Sequence, residues 1–88
     1  MATLLLPNEE TIEVSPEGGN TFVLEELQRH VGGYVELVPQ TGEMHGRLML
    51  VDEDGRSKRL PYNPIASDMA RRTIVGNALL LTHEEFGE

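Results

Sequence analysis

The chain has 88 residues, of which 39% are hydrophobic and 25% charged, and its formal net charge is −8. A chain of this length has room for one domain with a modest core, and its composition is too apolar for a disordered segment. The excess of acids argues against general binding to nucleic acid or to an anionic membrane, because both need a cationic surface.

Cysteine is absent, so no disulfide framework or thiolate chemistry is expected, and a reducing cytoplasm fits the composition. The apolar run at the N-terminus lacks a basic region and is cut by Pro7, which argues against a signal peptide or a membrane span. We therefore expect a cytoplasmic protein with no membrane partner.

Two short strands are predicted at the start of the chain, over Thr3–Leu6 and Thr11–Val14. The Pro7-Asn8 pair between them favours a turn. In the second strand Ile12 alternates with polar neighbours, so one face is expected to be buried and the other to be exposed.

The spacing of apolar residues predicts a helix over Thr21–Val31, with Asn20 or Thr21 as its cap. Leu24, Leu27 and Val31 recur at helical spacing and would form the buried stripe. A glycine pair, 32–33, follows and can end the helix in the left-handed conformation. The charged and polar residues expected outside the stripe are Glu25, Glu26, Gln28 and Arg29.

Further strands are predicted over Tyr34–Val38 and Arg47–Val51, joined by a loop at 39–46. The second has an unbroken apolar run, which is typical of a central strand covered on both faces. Residues 52–55 would then make a tight turn, and Arg56–Leu60 would return as an antiparallel partner.

Asn63 followed by Pro64 is typical of a helix start, and a short helix is predicted over Ile65–Arg72. Thr73–Thr82 would close the domain as an apolar strand, with Gly76 at a bulge or a close backbone approach. Residues 83–88 suggest a solvated acidic tail.

The order ββαβββαβ predicts a single α+β domain over residues 1–88. Its antiparallel or mixed sheet of about five to six strands would pack against one main helix and one short helix.

Motifs for catalysis and for metal binding are weak. The acidic turn at 52–55 lacks the later oxygen ligands of a calcium loop, and His30, His45 and His83 lack the spacing of a zinc site. No serine lies in a strained, glycine-flanked turn. We therefore expect no enzymatic activity, no cofactor and no metal.

Bases are concentrated in the second half of the chain, which makes it the place for a local anion site. Lys58 and Arg59 lie close in sequence to the helix start at Asn63, where free backbone N–H groups could hold a phosphate or carboxylate. The alternative is that these bases pair with Asp52–Asp54 across the turn.

The acidic first half suggests a second kind of surface, the outer helix face with Glu25, Glu26 and Arg29, which could contact a protein partner. It also allows mimicry of DNA, although a mimic needs negative charge spread densely over one surface, and here the acids alternate with core residues.

Four segments, 31–36, 50–55, 60–66 and 74–78 (VGGYVE, LVDEDG, LPYNPIA and IVGNA), together resemble a family of small domains of unknown function. Such domains are frequent in bacteriophages and mobile elements. The resemblance covers nearly the whole chain and implies a compact domain that is often an entire protein. It implies no reaction.

These observations predict a protein that acts by binding. The first expectation is a module that binds a host protein through its acidic helix face or a sheet edge, and that could also form a homo-oligomer, because a short chain gains core by association. The second is a module that sequesters a small anionic ligand such as a nucleotide signal, and the third is an acidic nucleic-acid mimic.

Overall fold

The computed structural model describes residues 1–39 and 46–87, so most of the loop predicted at 39–46 lies outside the described residues. Within them the chain forms five strands and three helices. In chain order these are β1 (Ala2–Leu5), β2 (Thr11–Val14), α1 (Leu24–Val31), β3 (Val35–Leu37), β4 (Leu48–Asp52), α2 (Pro64–Ala70), β5 (Ala78–Leu81) and α3 (His83–Phe86).

The five strands form one antiparallel sheet in the order β2-β1-β5-β4-β3. Every residue of β4 and β5 is buried, because these strands lie inside the sheet and are covered on both faces. The predicted α+β class, with one main helix and one short helix on the sheet, is confirmed.

The sheet separates two apolar clusters. Side chains alternate between its faces, so Leu48 and Leu50 of β4 pack on the α1 side, whereas Met49 and Val51 pack on the α2 side. The α2 cluster includes Ala66 and Ala70, with Ile65 and Met69 packed against it. Helix α2 therefore packs on the sheet through these four apolar residues.

The predicted strand at 56–60 is wrong. Consecutive turns occupy residues 53–59, and the Leu60 backbone N–H donates to the Gly55 carbonyl at 3.1 Å. The chain thus folds back on itself within six residues instead of pairing with β4. Arg59 has a φ of 57°, a left-handed value that a strand excludes.

The predicted solvated tail is wrong for Glu85 and Phe86, although His83, Glu84 and Gly87 are exposed as expected. Thr82 caps α3 by accepting a hydrogen bond from the Glu85 backbone N–H at 3.1 Å, while the Glu85 carboxylate accepts one from the Thr82 N–H at 2.9 Å. Glu85 is buried, and Phe86 packs against the α1-side cluster. This last helix therefore packs one face on the core, through Glu85 and Phe86.

Helix α1 begins three residues later than predicted, and this changes which side chains it buries. Leu27 and Val31 are buried as expected, and Phe22 before the helix is buried as well, but Leu24 is 58% exposed. Glu26, expected outside the stripe, is buried. Ile12 of β2 is also 45% exposed, because this edge strand is only partly covered on the α1 side.

Among residues 1–39 and 46–87, no helix has the length and apolar character needed to cross a membrane.

Candidate functional site

A cleft of about 500 Å³ lies at one end of the sheet, and we call it the end cleft. Strands β1 and β4 both run antiparallel to β5, so the ends of β1 and β4 meet the start of β5 at the same end of the sheet. The C-terminus of α1 closes one side. The lining residues are Leu6, Pro7, Asn8, Val31, Gly32, Asp52, Lys58, Leu60, Pro61, Gly76 and Asn77.

All four sequence segments that carry the family resemblance contribute to this lining. The first supplies Val31 and Gly32, the second Asp52, the third Leu60 and Pro61, and the fourth Gly76 and Asn77. These segments are far apart in sequence, and the fold brings them together around one concave surface.

The charged group in the end cleft is an ion pair. The Lys58 Nζ donates to Asp52 Oδ2 at 2.7 Å and to the Gly32 carbonyl at 3.3 Å. The Asp52 side chain is 1% exposed, whereas that of Lys58 is 43% exposed. The turn at 53–59 therefore delivers a lysine to a buried carboxylate at the end of β4.

Burial alone would raise the pKa of the Asp52 carboxyl, but hydrogen bonds from Lys58 and from the Asp54 backbone N–H outweigh it, and the pKa is lowered. The hydrogen bond to Asp52 raises the pKa of Lys58. Both groups are therefore charged at neutral pH, and the net charge of the pair is zero.

Two glycines allow the close packing around this cleft. A Cβ at Gly33 would lie 2.7 Å from Lys58 Nζ and 2.8 Å from both Asp52 carboxylate oxygens. A Cβ at Gly76 would lie 2.7 Å from Leu60 Cδ1, and Gly76 has a φ of 76°. A bulge or a close backbone approach was predicted at Gly76, but the close neighbour is the side chain of Leu60.

The structure separates the three residues predicted to bind an anion. Lys58 lies in the end cleft and is neutralised by Asp52, which matches the alternative expectation of pairing with the acidic turn. Arg59 is exposed and outside the lining. Asn63 is 0% exposed. The joint anion site at Lys58, Arg59 and Asn63 is therefore not assembled.

Asn63 has a structural role, and its predicted helix cap is confirmed. Its Oδ1 accepts from the Ala66 backbone N–H at 3.2 Å, and its Nδ2 donates to the carbonyls of Leu5 and Gly76 at 3.0 and 2.8 Å. One side chain thus fastens α2 to the end of β1 and to the segment before β5, and its full burial keeps it out of reach of a ligand.

A family model for a domain of unknown function, DUF3846, matches residues 1–88 of the chain. The chain belongs to this family. The resemblance to a family of unknown function is confirmed by this match. No curated protein and no solved structure matches the chain.

The outer face of α1 is the second candidate surface of the DUF3846 domain. Glu25 and Arg29 are both exposed there, as predicted, and Arg29 pairs with Glu17 at 3.4 Å. Leu24 and the preceding Val23 are 58% and 59% exposed. We call Val23, Leu24, Glu25 and Arg29 the α1 surface.

Glu26 does not share this surface, so its predicted place on the acidic helix face is wrong. Its two carboxylate oxygens accept hydrogen bonds from the backbone N–H groups of Val23 at 3.0 Å and Glu17 at 2.8 Å. These bonds lower the pKa of the Glu26 carboxyl, the bond from Val23 most of all. Glu26 therefore fastens the loop before α1 to the first turn of the helix.

Among the described residues of the DUF3846 domain, no group of three or more His, Asp or Glu side chains is placed to hold a metal ion. His45, one of the three histidines considered from sequence, lies outside the described residues.

Proposed function

We propose that this protein is a binding module that contacts another protein through the α1 surface. The observation that carries the proposal is the exposure of two adjacent large apolar residues, Val23 and Leu24, at the start of an amphipathic helix. Burying such side chains in an interface removes apolar area from water, and this is the main driving force of protein association.

The charge around this apolar pair favours a partner with a basic rim. Glu25 is exposed beside Leu24, and the chain as a whole carries a net charge of −8. Complementary charge speeds encounter and excludes acidic competitors. If the source is a phage or mobile element, as the resemblance implies, the partner is a protein of the host cytoplasm.

Binding without catalysis is supported by the state of the buried carboxylates. Glu26, Asp52 and Glu85 each accept a backbone hydrogen bond, and each has a lowered pKa. A carboxylate held in this way is a weak base and is not available as an acid at neutral pH. Burial of these three carboxylates also favours a protein interface over nucleic-acid mimicry, because it removes three negative charges from the surface.

Capture from a lysate of the source cells tests the proposal with two matched variants. Leu24→Lys places a charge in the α1 surface, whereas Ile12→Lys places one at the exposed edge strand β2, where the original side chain is 45% exposed. We expect Leu24→Lys to reduce capture of the partner about tenfold or more and Ile12→Lys to leave it unchanged. Loss of capture with Ile12→Lys alone would assign the contact to the sheet edge.

A further inference from the structure

The end cleft is mainly apolar. Two Leu-Pro pairs, Leu6-Pro7 and Leu60-Pro61, come from segments more than fifty residues apart and line the same cleft together with the aliphatic side chain of Val31. Its volume of about 500 Å³ is within the range of small-molecule sites, which combine apolar walls with a few fixed polar groups.

The ion pair gives the end cleft a hydrogen-bond donor, the ammonium group of Lys58. Asp52 is almost fully buried, and its two oxygens accept from Lys58 and from the Asp54 N–H. The Lys58 ammonium has three N–H bonds. Two of them are directed to Asp52 and Gly32, and the third remains for a ligand.

Asn77 adds an acceptor to the same lining. Its Nδ2 donates to the His30 carbonyl at 3.1 Å, which fixes the orientation of the side-chain amide. The Oδ1 of an amide can accept two hydrogen bonds. The cleft therefore combines a donor, an acceptor and apolar walls.

The charge balance of the site disfavours an ion. Asp52 lies 2.7 Å from the lysine nitrogen and cancels its charge, and the net charge of the whole chain is −8. An anion would gain little from a neutralised lysine and would be repelled by the acidic chain, while a cation would meet the exposed ammonium. The carbonyl group of a neutral ligand needs only a hydrogen-bond donor, which Lys58 supplies.

We propose that the end cleft binds a small neutral molecule with an apolar ring and an amide or lactam edge, whose carbonyl accepts from Lys58 and whose N–H donates to Asn77. This site is separate from the α1 surface, and it differs from the expected anion site in both its residues and its ligand.

Three probes with the same ring separate the possible ligand charges. Benzamide, benzoate and benzylamine are titrated into the ¹⁵N-labelled protein, and backbone amide shifts are recorded. We expect saturable benzamide shifts at Gly32, Lys58, Gly76 and Asn77. Benzoate should bind about five- to tenfold more weakly, the worth of one hydrogen bond, and benzylamine more weakly still. Equal binding of all three, absence of saturation, or shifts confined to other regions would overturn the proposal.

Two variants test the named groups against a control. Lys58→Met and Asn77→Ala should each weaken benzamide binding about fivefold, the worth of one hydrogen bond, whereas Arg59→Met removes a neighbouring charge outside the cleft and should not change it. Because Lys58→Met leaves Asp52 without its partner, its fold is checked by amide shifts far from the cleft, and Asn77→Ala gives an answer independent of the ion pair. Unchanged benzamide affinity in Asn77→Ala would contradict the proposed ligand contact. Amide shifts at the cleft that depend only on protein concentration would also contradict it, because a second copy of the chain would then cover the cleft.

Discussion

At the scale of single residues, the domain uses its buried polar side chains to hold its own backbone. Glu26, Asp52, Asn63 and Glu85 each accept at least one backbone N–H, and no buried side-chain polar atom among the described residues lacks a partner. Burial of an unpaired polar group would cost about 1–3 kcal/mol. These side chains therefore stabilise the fold.

The sequence predicted one of these roles, the helix cap at Asn63. Asn63 before proline is a strong helix-start signal, and that signal was sufficient. The role of Glu26 was missed because valine is not a capping residue, so nothing marked Val23 as the last residue before α1. The partner that holds Glu26, the Glu17 N–H, lies in a loop whose path only the tertiary structure determines.

Asn63 provides a test at this scale. In Asn63→Ala the carbonyls of Leu5 and Gly76 lose their donor, and we expect a loss of about 2–4 kcal/mol in the free energy of unfolding. Asn63→Asp keeps the cap acceptor but places a carboxylate against both carbonyls, so it should be at least as destabilising. Urea denaturation measures both, with the exposed Asn8→Ala as control. A milder effect of the aspartate variant would show that capping of α2 is the main role of Asn63.

At the scale of elements, the turn at 53–59 and helix α3 show two different reasons why the structure predicted from the sequence was wrong. Residues 56–60 follow a predicted tight turn and were expected to return as a strand, but the fold has further turns there, which bring Lys58 to Asp52. This pairing is not encoded in local propensity. For α3 a signal was present, because Thr82 and Glu85 have the spacing of a capping box, and the acidic composition of the last residues concealed it.

Gly76 tests the packing between elements. Gly76→Ala meets Leu60 and imposes a left-handed backbone on a residue with a Cβ, so we expect a loss of about 2–4 kcal/mol of stability. Gly32→Ala has a similar φ of 89° but open space around the Cβ, and about 1 kcal/mol is expected. In a Leu60→Ala background, the loss of stability caused by Gly76→Ala should fall toward the value expected for Gly32→Ala. If the two glycine variants lost equal stability, the close approach would not be the cause.

At the scale of the whole molecule, the architecture was predictable because it depends on apolar patterning. The fully apolar run in β4 and the glycine joint after α1 determine a central strand and a helix stop regardless of the partners. Strand order was not predictable, since several antiparallel arrangements bury the same faces. The end cleft was missed for the same reason, because it is formed by segments that meet only once the order is known.

The lowered carboxyl pKa values predict how stability depends on pH. Glu26, Asp52 and Glu85 have folded-state pKa values below their ordinary values of about 4.5, 3.8 and 4.5. The contribution of these carboxylates to the free energy of unfolding is therefore complete above their ordinary pKa values. It is lost as the pH falls through their lower folded-state pKa values. We expect a nearly constant unfolding temperature from pH 7 to about pH 5 and a steep fall below about pH 4. Glu26→Gln should make the fall less steep, whereas the exposed Glu25→Gln should not. A stability that increases on acidification would contradict these pKa directions.

Photo-crosslinking in the source cells tests the proposed protein contact most directly. A benzophenone-bearing residue replaces Leu24 in one variant and Ile12 in another, both at positions where the original side chain is exposed. We expect a discrete adduct with a different polypeptide from position 24 and none from position 12. An adduct from position 12 alone, an adduct only with a second copy of this chain, or no adduct from either position would contradict it.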